Sequence, residues 1–493
     1  MTLDELRLEI DKIDTELIQL FENRMRVAAQ IAQYKQENHL PVLDVSREEA
    51  KLQDVASKLP EDLQDYGCAL YKELFALSRD HQSRLLTKHC GLLGRTLGHS
   101  YSPQIHGELG DYEYRLYEKE PEELADFLQS GSFDGLNVTI PYKQAVIPYC
   151  AELSPAARAI GSVNTLVKRP DGTLYGDNTD AFGMKSLILH NSIAVKGKKA
   201  LVLGSGGTSR TACAVLQEMG AEKIVVISRN GEDNYGNLTR HLDAEIIVNT
   251  TPVGMYPHNG EQPLDLKIFP HLSGVVDVIY NPARTALLLQ AEELGIPHAG
   301  GLYMLVAQAK ASAELFVGKT IDNAEIARIE KKLRHEVENI VLIGMPGCGK
   351  TTVSQALGEL FHREVIDIDD EIEKRACMII PEIFNTYGEN HFRALETEIL
   401  RDMGKLSGKV ISTGGGCVTR AENYPLLHQN GMFLWLKRDV ENLERDGRPL
   451  SQNADLQAMY EIRRPLYERF ADYCIDNNGT IEDTLTQIKE VLA

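Results

Sequence analysis

The N-terminal part of the chain carries an apolar pattern typical of one long helix. Its apolar side chains recur at steps of three and four residues, at Leu3, Leu6, Ile10, Ile13, Leu17 and Leu20. This spacing places them on one face of an α-helix, and the pattern continues to about Asn38. A helix of that span is about 54 Å long at 1.5 Å per residue. Because a small domain is narrower than this, we predict that the helix packs against a partner chain.

From His89 onward the pattern changes to short apolar runs that alternate with helical stretches. The runs end in turn residues and read "CGLLG", "FDGLNVTIP", "KALVLGSGG", "KIVVIS", "AEIIVNTTP" and "GVVDVIY". Such runs are typical of strands in parallel α/β sheets. A charged helical stretch, "NAEIARIEKKLRHEVE", follows, and "NIVLIG" then opens another α/β unit.

These changes predict a multidomain protein with three units. The first, 1–88, is all-helical and dimerises. The second, 89–336, is an α/β unit whose motifs resemble those of a two-lobed enzyme family. That resemblance implies a substrate lobe at about 89–190, a Rossmann-like cofactor lobe at about 191–300 and returning helices to about 336. The third, 337–493, is an α/β unit. A chain of 493 residues is too long for one hydrophobic core, which agrees with this division.

Composition narrows the classes of function. No apolar run is long enough for a membrane span, and the first residues do not resemble a signal peptide. Eight cysteines without CxxC spacing fit reduced thiols, so we expect a cytoplasmic protein without membrane contact. A net charge of −20 disfavours nucleic acid as a partner. Anionic substrates remain possible where cations are gathered locally.

The third unit contains the phosphate-binding sequence "GMPGCGKTT" directly after a predicted strand and before a predicted helix. In this context the backbone amides of a glycine-rich loop surround nucleotide phosphates. The motif predicts that Lys350 reaches the outer phosphates of ATP and that Thr351 binds magnesium. The cofactor-binding set is Gly347, Gly349, Lys350, Thr351 and Thr352.

Other motifs of the third unit indicate the acceptor. "VIDIDD" places Asp367 and Asp369 two residues apart at a strand end, so both are expected to project to one side. They are followed by "YGENHFRALE", "STGGGC", "RDGRPL" and "RRPLYERFA". Together these motifs resemble shikimate kinase across essentially all of 337–493. A different small-metabolite kinase with the same phosphate loop is the alternative.

The resemblance implies a role for each residue of this unit. Asp369 orients the attacking hydroxyl and Asp367 supports magnesium, while Arg448 is the lid cation over the transferring phosphoryl group, as phosphoryl transfer requires. The substrate carboxylate is bound by Arg393, Arg463 and the amides of Gly415 and Gly416. The segment between Arg445 and Arg448 is shorter than the family pattern, which leaves a role for Arg445 open.

The cofactor lobe of the second unit begins with strand, glycine turn and helix start in "KALVLGSGGTSR". The next predicted strand ends in Ser228 and Arg229, with no acid to hold a ribose 2′-hydroxyl. An arginine there suits the 2′-phosphate of NADP, although a surface arginine after a strand is also common. The predicted NADPH-binding set is Gly204, Gly206, Gly207, Thr208, Ser228 and Arg229.

The substrate lobe carries residues suited to reducing a carbonyl. Lys143 and Asp180 form a plausible proton-transfer pair, and Ser100 and Ser102 lie on one side of a predicted extended loop. With "NVTIPYK", "GSVNTL", "GDNTDAFG" and "AGGLYMLVAQA", this set resembles shikimate dehydrogenase across roughly 89–318. The resemblance implies proton transfer by Lys143 and Asp180. The implied substrate-binding residues are Ser100, Ser102, Thr139, Asn164, Tyr280 and Gln308.

The chain is shorter than the shikimate dehydrogenase pattern between Asn230 and "NTTPVG". Part of the cofactor lobe is therefore missing. For this reason a quinate/shikimate dehydrogenase that uses NAD is the alternative for this unit.

In the first unit Arg24 and Lys35 share one stripe of the predicted helix with Ala28 and Ile31. Charged residues on such a stripe usually face water, but this stripe borders the apolar one. The later segments "VLDVSREEA" and "LSRDHQ" complete a pattern that resembles the all-helical chorismate mutases across about 1–88. Their rearrangement of a dicarboxylate needs fixed cations and hydrogen-bond donors and no proton shuttle.

This third resemblance implies that Lys35 and Gln82 contact the ether oxygen of chorismate and are the catalytic residues. The implied substrate-binding set is Arg7, Arg24, Asp44, Arg47, Glu48 and Ser78. Arg7 lies seventeen residues before Arg24, about 25 Å along one helix, so a partner chain must deliver it. A homodimer joined through this unit is expected.

The three units together predict a trifunctional enzyme of the shikimate pathway. It would reduce 3-dehydroshikimate with NADPH, phosphorylate shikimate with ATP and magnesium, and rearrange chorismate to prephenate. The alternative for the first unit is a dimerisation or sensing module that binds chorismate or prephenate without turning it over.

Overall fold

The computed structural model describes residues 2–38, 40–98, 100–443 and 456–492. The first unit consists of helices α1 (Leu3–Glu37), α2 (Val45–Lys58) and α3 (Gln64–Leu86). The long predicted helix is confirmed by α1. Helix α2 begins after Asp44, whose Oδ1 accepts a hydrogen bond from Arg47 N at 3.0 Å and so caps the helix.

This helical unit buries very little apolar surface within one chain. In the described part of 2–88 the buried apolar side chains are Ala28, Ala32 and Val55. The predicted apolar face of α1 is exposed to solvent, at fractions between 41% and 66%, for Leu3, Leu6, Ile10, Ile13, Leu17 and Leu20. Contiguous apolar surface of this length marks an interaction site in a soluble protein.

The substrate lobe of the second unit is built on a six-stranded sheet. Its strands and helices are β1 (His89–Gly94), α4 (Ser102–Leu109), β2 (Glu113–Glu118), α5 (Leu124–Ser130), β3 (Gly135–Val138), β4 (Cys150–Leu153), α6 (Pro155–Ile160), β5 (Thr165–Lys168), β6 (Leu174–Asp177) and α7 (Thr179–His190). The strand order is β2-β1-β3-β5-β6-β4.

The sheet of this lobe is mixed and contains both parallel and antiparallel strand pairs. Strand β5 pairs antiparallel with both β3 and β6. The short β5–β6 hairpin turns at Gly172, whose φ is 83°, so no crossover helix is needed between these strands. Strands β5 and β6 lie outside the apolar runs from which strands were predicted, so the antiparallel part of this sheet was not predicted.

The cofactor lobe contains a five-stranded parallel sheet in the order β11-β10-β9-β7-β8. Its elements are β7 (Lys199–Leu203), α8 (Gly207–Glu218), β8 (Lys223–Ile227), β9 (Ile246–Asn249), β10 (Gly274–Asp277), α9 (Ala286–Glu293), β11 (His298–Ala299), α10 (Leu302–Val317) and α11 (Ala324–Val337). Helix α10 returns to pack on α7 and α4 and thereby joins the two lobes.

The third unit is a parallel α/β sheet in the order β13-β14-β12-β15-β16. Its elements are β12 (Asn339–Ile343), α12 (Lys350–Phe361), β13 (Val365–Asp367), α13 (Ile368–Ala376), α14 (Ile380–Met403), β14 (Val410–Ser412), α15 (Asn423–His428), β15 (Gly431–Lys437), α16 (Leu456–Phe470), β16 (Tyr473–Asp476) and α17 (Ile481–Leu492). Among the described helices, none has both the length and the apolar character needed to cross a bilayer.

A buried acid stands at the end of β10. The Asp277 carboxylate accepts hydrogen bonds from Ile279 N at 3.0 Å, Thr285 Oγ1 at 2.7 Å and Asn249 Nδ2 at 3.1 Å. Burial raises the pKa of Asp277 from 3.8 to about 6 despite these donors. Asp277 therefore anchors the loop that leads from β10 to α9.

Asp277 makes the stability of this lobe fall as pH rises from about 4 to about 6. In that window the folded chain keeps a proton that the unfolded chain has released, so about 3 kcal/mol of unfolding free energy is lost by pH 6. Asp277→Asn removes this titration. The thermal-unfolding midpoint of Asp277→Asn minus that of the unchanged protein should increase as the pH is raised from 4.5 to 7.5. For the control Glu222→Gln, a change at an exposed residue, this difference should stay constant over the same pH range. If the midpoints of Asp277→Asn and of the unchanged protein changed equally with pH, this account would be contradicted.

Candidate active sites

The first cavity lies among the three N-terminal helices and has a volume of about 1020 Å³. The stripe predicted on α1 lines it, together with residues of the other two helices: Arg24, Ala28, Ile31, Lys35, Asp44, Arg47, Glu48, Ser78 and Gln82. One chain therefore brings together every predicted residue of this site except Arg7. The Arg7 side chain is 67% exposed and pairs with Asp4 on the same helix.

Two cations of this cavity, Arg24 and Lys35, are held by protein acceptors. Arg24 donates to Leu74 O at 3.0 Å and to the Ser78 hydroxyl, and Lys35 Nζ donates to Val42 O at 2.6 Å. Gln82 is buried, and its Oε1 has no hydrogen-bond partner among the described residues. A buried amide oxygen without a partner is available to a ligand or to a bound water.

The acids of this cavity are also oriented. The Arg47 backbone N–H lowers the pKa of Asp44, so Asp44 is a carboxylate near neutral pH. Glu48 pairs with Arg79, which also lines the cavity and which the sequence did not single out. Arg79 lies directly after Ser78 and three residues before Gln82 on α3, and this spacing from two predicted residues was the signal that could have identified it.

The second cavity, of about 230 Å³, lies between the two lobes of the second unit. The predicted residues that line it are Ser100, Ser102, Thr139, Lys143, Asn164, Asp180, Thr208, Tyr280 and Gln308. Lys143 Nζ lies 2.6 Å from Asp180 Oδ2, and both side chains are largely shielded from water. Ser100 Oγ lies 3.1 Å from Ser102 Oγ. Ser102 is the first residue of helix α4, and not part of an extended loop as predicted.

A buried network supports the wall of this cavity. Asn164 Oδ1 accepts from Thr179 N at 2.7 Å, and its Nδ2 lies 3.5 Å from Gln308 Oε1. Asn137 also lines the cavity and was missed by sequence reasoning, although a polar residue inside the apolar run "GLNV" was a usable signal. Burial raises the pKa of Tyr280, so its hydroxyl stays protonated.

The glycine turn of the cofactor lobe lies between β7 and α8. Gly204 has a φ of 105°, and a Cβ there would meet Thr250 Oγ1 at 2.9 Å. Helix α8 begins at Gly207, so the first N–H groups of the helix face the space beyond Gly206. Ser228 and Arg229 follow β8 at the same sheet edge but do not line the substrate cavity.

The third cavity, of about 300 Å³, lies at the carboxyl edge of the third sheet. It is lined by Lys350, Thr351, Asp367, Asp369, Arg393, Gly415, Gly416 and Arg463. Lys350 Nζ is held by Gly344 O at 2.9 Å and Met345 O at 3.0 Å. Gly347 and Gly349 have φ values of 82° and 95° in the loop before α12, and Thr352 follows in the first turn of that helix.

The two acids of this cavity are placed differently from the prediction. Asp367 ends β13, but Asp369 lies in the first turn of α13, so strand alternation does not explain why they share a cavity. Instead Asp367 Oδ1 caps α13 by accepting from Asp369 N at 3.0 Å. Asp367 Oδ2 also lies 3.3 Å from Thr351 Oγ1. Arg445 and Arg448 lie outside the described residues.

Two arginines of this cavity are buried and held. Arg393 Nη1 donates to Glu396 Oε2 at 2.8 Å, and Arg463 Nη1 donates to Gly415 O at 3.1 Å. Burial raises the pKa of the Glu396 carboxyl, an effect that Arg393 opposes. Glu396 was not predicted, although its spacing of three residues from Arg393 on one helix was the signal. A Cβ on Gly416 would collide with the Arg393 guanidinium, so any larger residue there would displace that side chain.

Comparison with known proteins finds family matches in three parts of the chain. Three family models match: chorismate mutase type II at residues 6–83, the shikimate dehydrogenase substrate binding domain at residues 92–166, and shikimate kinase at residues 346–493. The shikimate dehydrogenase (NADP(+)) of Clostridium beijerinckii is 34% identical over 252 residues, which cover 47% of this chain and 93% of that protein. The chain belongs to the shikimate dehydrogenase family.

Other relatives extend the same comparison. The shikimate dehydrogenase (NADP(+)) of Halothermothrix orenii is 36% identical over 271 residues, covering 47% of this chain and 91% of that protein. A solved chorismate mutase/shikimate 5-dehydrogenase fusion protein from Clostridium acetobutylicum is 38% identical, covers 50% of this chain and 97% of that one, and has a TM-score of 0.48. The three family models and the sequence relatives that use NADP together make the chain a trifunctional shikimate-pathway enzyme that uses NADP and ATP.

The buried pair of Arg393 and Glu396 predicts a large stability effect. Glu396→Ala leaves the buried arginine with only the more exposed Glu389, whose Oε1 lies 3.4 Å from Arg393 Nη2. The variant should lower the free energy of unfolding of the kinase unit by about 3 kcal/mol. Urea unfolding followed by the fluorescence of Trp435, the single tryptophan of the chain, reports on this unit. Glu398→Ala, on the same helix with a side chain 61% exposed, is the control. Equal midpoints for the two variants would contradict the assignment.

Proposed function

We propose that each of the three cavities is a separate active site and that the predicted residues carry its chemistry. The observation behind this proposal is that the residue sets lining the cavities do not overlap. Each set includes cations and hydrogen-bond donors suited to a carboxylate. The substrates proposed in chain order are chorismate, 3-dehydroshikimate and shikimate.

In the dehydrogenase site NADPH supplies the hydride that reduces the ketone of 3-dehydroshikimate. The Lys143 ammonium group donates the proton that the ketone oxygen takes up, and Asp180, at 2.6 Å, orients that ammonium group. Ser100 and Ser102 donate their hydroxyls to the substrate carboxylate, and Asn164 and Gln308 hold the ring hydroxyls. Arg229 receives the 2′-phosphate of the cofactor.

In the kinase site Asp369 accepts the proton of the attacking hydroxyl of shikimate. Lys350 and the amides of the phosphate loop hold the phosphates of ATP. Thr351 Oγ1 and Asp367 Oδ2, 3.3 Å apart, are two oxygen atoms of the kind that magnesium prefers, and the ion would neutralise developing phosphoryl charge. Arg393 and Arg463 bind the substrate carboxylate.

In the mutase site no proton needs to move, because one C–O bond breaks as one C–C bond forms within chorismate. Lys35 and Gln82 donate hydrogen bonds to the ether oxygen, where negative charge develops. Arg24 and Arg47 hold carboxylates, and Glu48 accepts from the ring hydroxyl. We propose that Arg7 reaches this site from a second copy of the chain.

The dimer proposal follows from the exposed apolar face of α1 and the small core of its unit. Pairing two such faces buries both and gives the isologous contact of a twofold dimer. An antiparallel arrangement brings the N-terminal Arg7 of one chain toward the Arg24 end of the other. A second copy therefore supplies both the missing core and the missing cation.

Three single variants test whether the sites are independent. Lys143→Met should lower the reduction of 3-dehydroshikimate by about 10²- to 10⁴-fold. Arg463→Ala should raise the KM for shikimate in the kinase reaction by about tenfold or more. Arg24→Ala should slow the mutase by about 10²-fold or more. All three products are measured for every variant, and each variant is the control for the other two sites. A variant that abolishes two reactions would contradict separate sites.

Mixed dimers test the role of Arg7. Arg7→Ala and Lys35→Ala chains should each be inactive as mutases, but a dimer of one with the other has one complete site. Co-expression should therefore recover about a quarter of the unchanged mutase activity, since half of the dimers are mixed. Activity is followed as loss of chorismate. Co-expression of Arg7→Ala with Arg7→Gln is the control, and a fully active monomer in light scattering would contradict the proposal.

A further inference from the structure

The dehydrogenase and kinase units are joined by a loop and a turn. The loop, 281–285, precedes α9, and the turn, 428–430, connects α15 to β15. Arg284 N donates to Gln429 O at 2.9 Å, Arg284 Nη1 donates to His428 O at 3.0 Å, and Ala283 N donates to Asn430 Oδ1 at 2.8 Å. One arginine of the dehydrogenase unit therefore holds two successive carbonyl groups of the kinase unit.

Arg284 also lies against a buried acid at the start of the kinase sheet. Glu338 is 4% exposed, and its Oε1 lies 3.3 Å from Arg284 Nη1 and 3.5 Å from Arg334 Nη1. The next residue, Asn339, begins β12 and donates its N–H to Asn430 O at 2.7 Å. The turn 428–430 is thus fixed from two sides, by β12 and by Arg284.

The loop that carries Arg284 is fixed at both ends by hydrogen bonds to a buried acid. Thr285 Oγ1 and Ile279 N both donate to the buried carboxylate of Asp277. Between them Tyr280 lines the dehydrogenase cavity. A short segment therefore contacts the dehydrogenase site at one end and the kinase unit at the other.

The turn continues into the support of the kinase cavity. Helix α15 ends at His428 and begins at Asn423, which is fully buried. Asn423 Nδ2 donates to Cys417 O at 2.8 Å, directly after the glycine run, and Asn423 Oδ1 lies 2.9 Å from Thr397 Oγ1. The Thr397 hydroxyl is also 3.0 Å from the Arg393 carbonyl oxygen. Helix α15 therefore supports two parts of the cavity wall, the part that carries Arg393 and the part that carries Gly416.

We propose that Arg284, a residue of the dehydrogenase unit, is a positioning residue of the kinase site. By fixing the end of α15, it keeps Arg393 and the glycine run at the positions in which they bind the shikimate carboxylate. The phosphate loop lies between β12 and α12, and among the described residues no hydrogen bond joins it directly to α15. The inference rests on the proposed role of Arg393 and Gly416 in binding shikimate.

The test is Arg284→Ala in the full chain. The Kd for shikimate, titrated by Trp435 fluorescence, and the KM for shikimate should both rise about threefold to thirtyfold. The KM for ATP and the rate of 3-dehydroshikimate reduction should stay within about twofold. Trp435 is a suitable reporter because its ring stacks on Tyr467, with centroids 5.8 Å apart, and the Tyr467 hydroxyl donates to Gly415 O at 2.6 Å.

Two further variants separate positioning from stability. Arg284→Lys keeps a cation beside Glu338 and should recover part of the affinity for shikimate. Arg169→Ala removes an arginine that pairs with Glu152 away from the kinase unit and should change nothing in the kinase reaction. If Arg284→Ala does not fold, Arg284→Met with Glu338→Gln, which leaves no unpaired buried carboxylate, is measured with the same expectation.

The outcomes are distinct. A folded Arg284 variant with unchanged Kd and KM for shikimate overturns the inference, and so does a fall in kcat alone, which indicates only a smaller active fraction. If Arg463→Ala weakens shikimate binding while Arg284→Ala does not, the proposed kinase function stands and only the positioning role fails. If neither variant changes shikimate binding, the assignment of this cavity fails as well.

Discussion

The sites of this chain depend on how cations are held inside cavities of a protein whose net charge is −20. A free lysine or arginine in a cavity would be mobile, and a substrate carboxylate would have to order it on binding. Here protein acceptors hold them first: Leu74 O holds Arg24, Asp180 holds Lys143 and Glu396 holds Arg393. Cations that are fixed beforehand stabilise charge in the bound state without reorganisation, which suits both substrate recognition and charge development in a transition state.

The same constraint explains why polar residues are buried around the cavities. Each fixed cation or amide needs an acceptor, and each acceptor needs its own support. In the dehydrogenase site this produces the network of Asn164 and Thr179, and in the kinase site the chain from Arg393 through Thr397 to Asn423. In the kinase unit that chain continues across the domain interface to Arg284. The fusion of two enzymes therefore adds a contact that one of them uses as structural support.

Much of the fold could be predicted from apolar periodicity. The long helix α1 and the strands β1, β7 and β12 were all predicted because each has a periodic or continuous apolar run. The antiparallel strand β5 was not predicted. Its place in the sheet depends on a hairpin with β6, and the residues of β5 alone do not indicate that pairing. Asp369 was predicted to lie on a strand, although helix α13 begins one residue before it, after the cap residue Asp367. Helix caps are decided by one hydrogen bond and are easily missed.

The sequence alone determined the candidate residues around each motif of the sites. This was possible because the chemistry of glycine loops and of paired charges requires particular residue types at short, fixed spacings. The sequence also determined the amphipathic character of α1, which is a property of the order of residues. Only the tertiary structure decided which acceptor holds each cation and that Asn137, Arg79 and Glu396 line or support the cavities. It alone brought Arg284 to the kinase, because contacts between residues more than a hundred positions apart depend on packing, which no local pattern records.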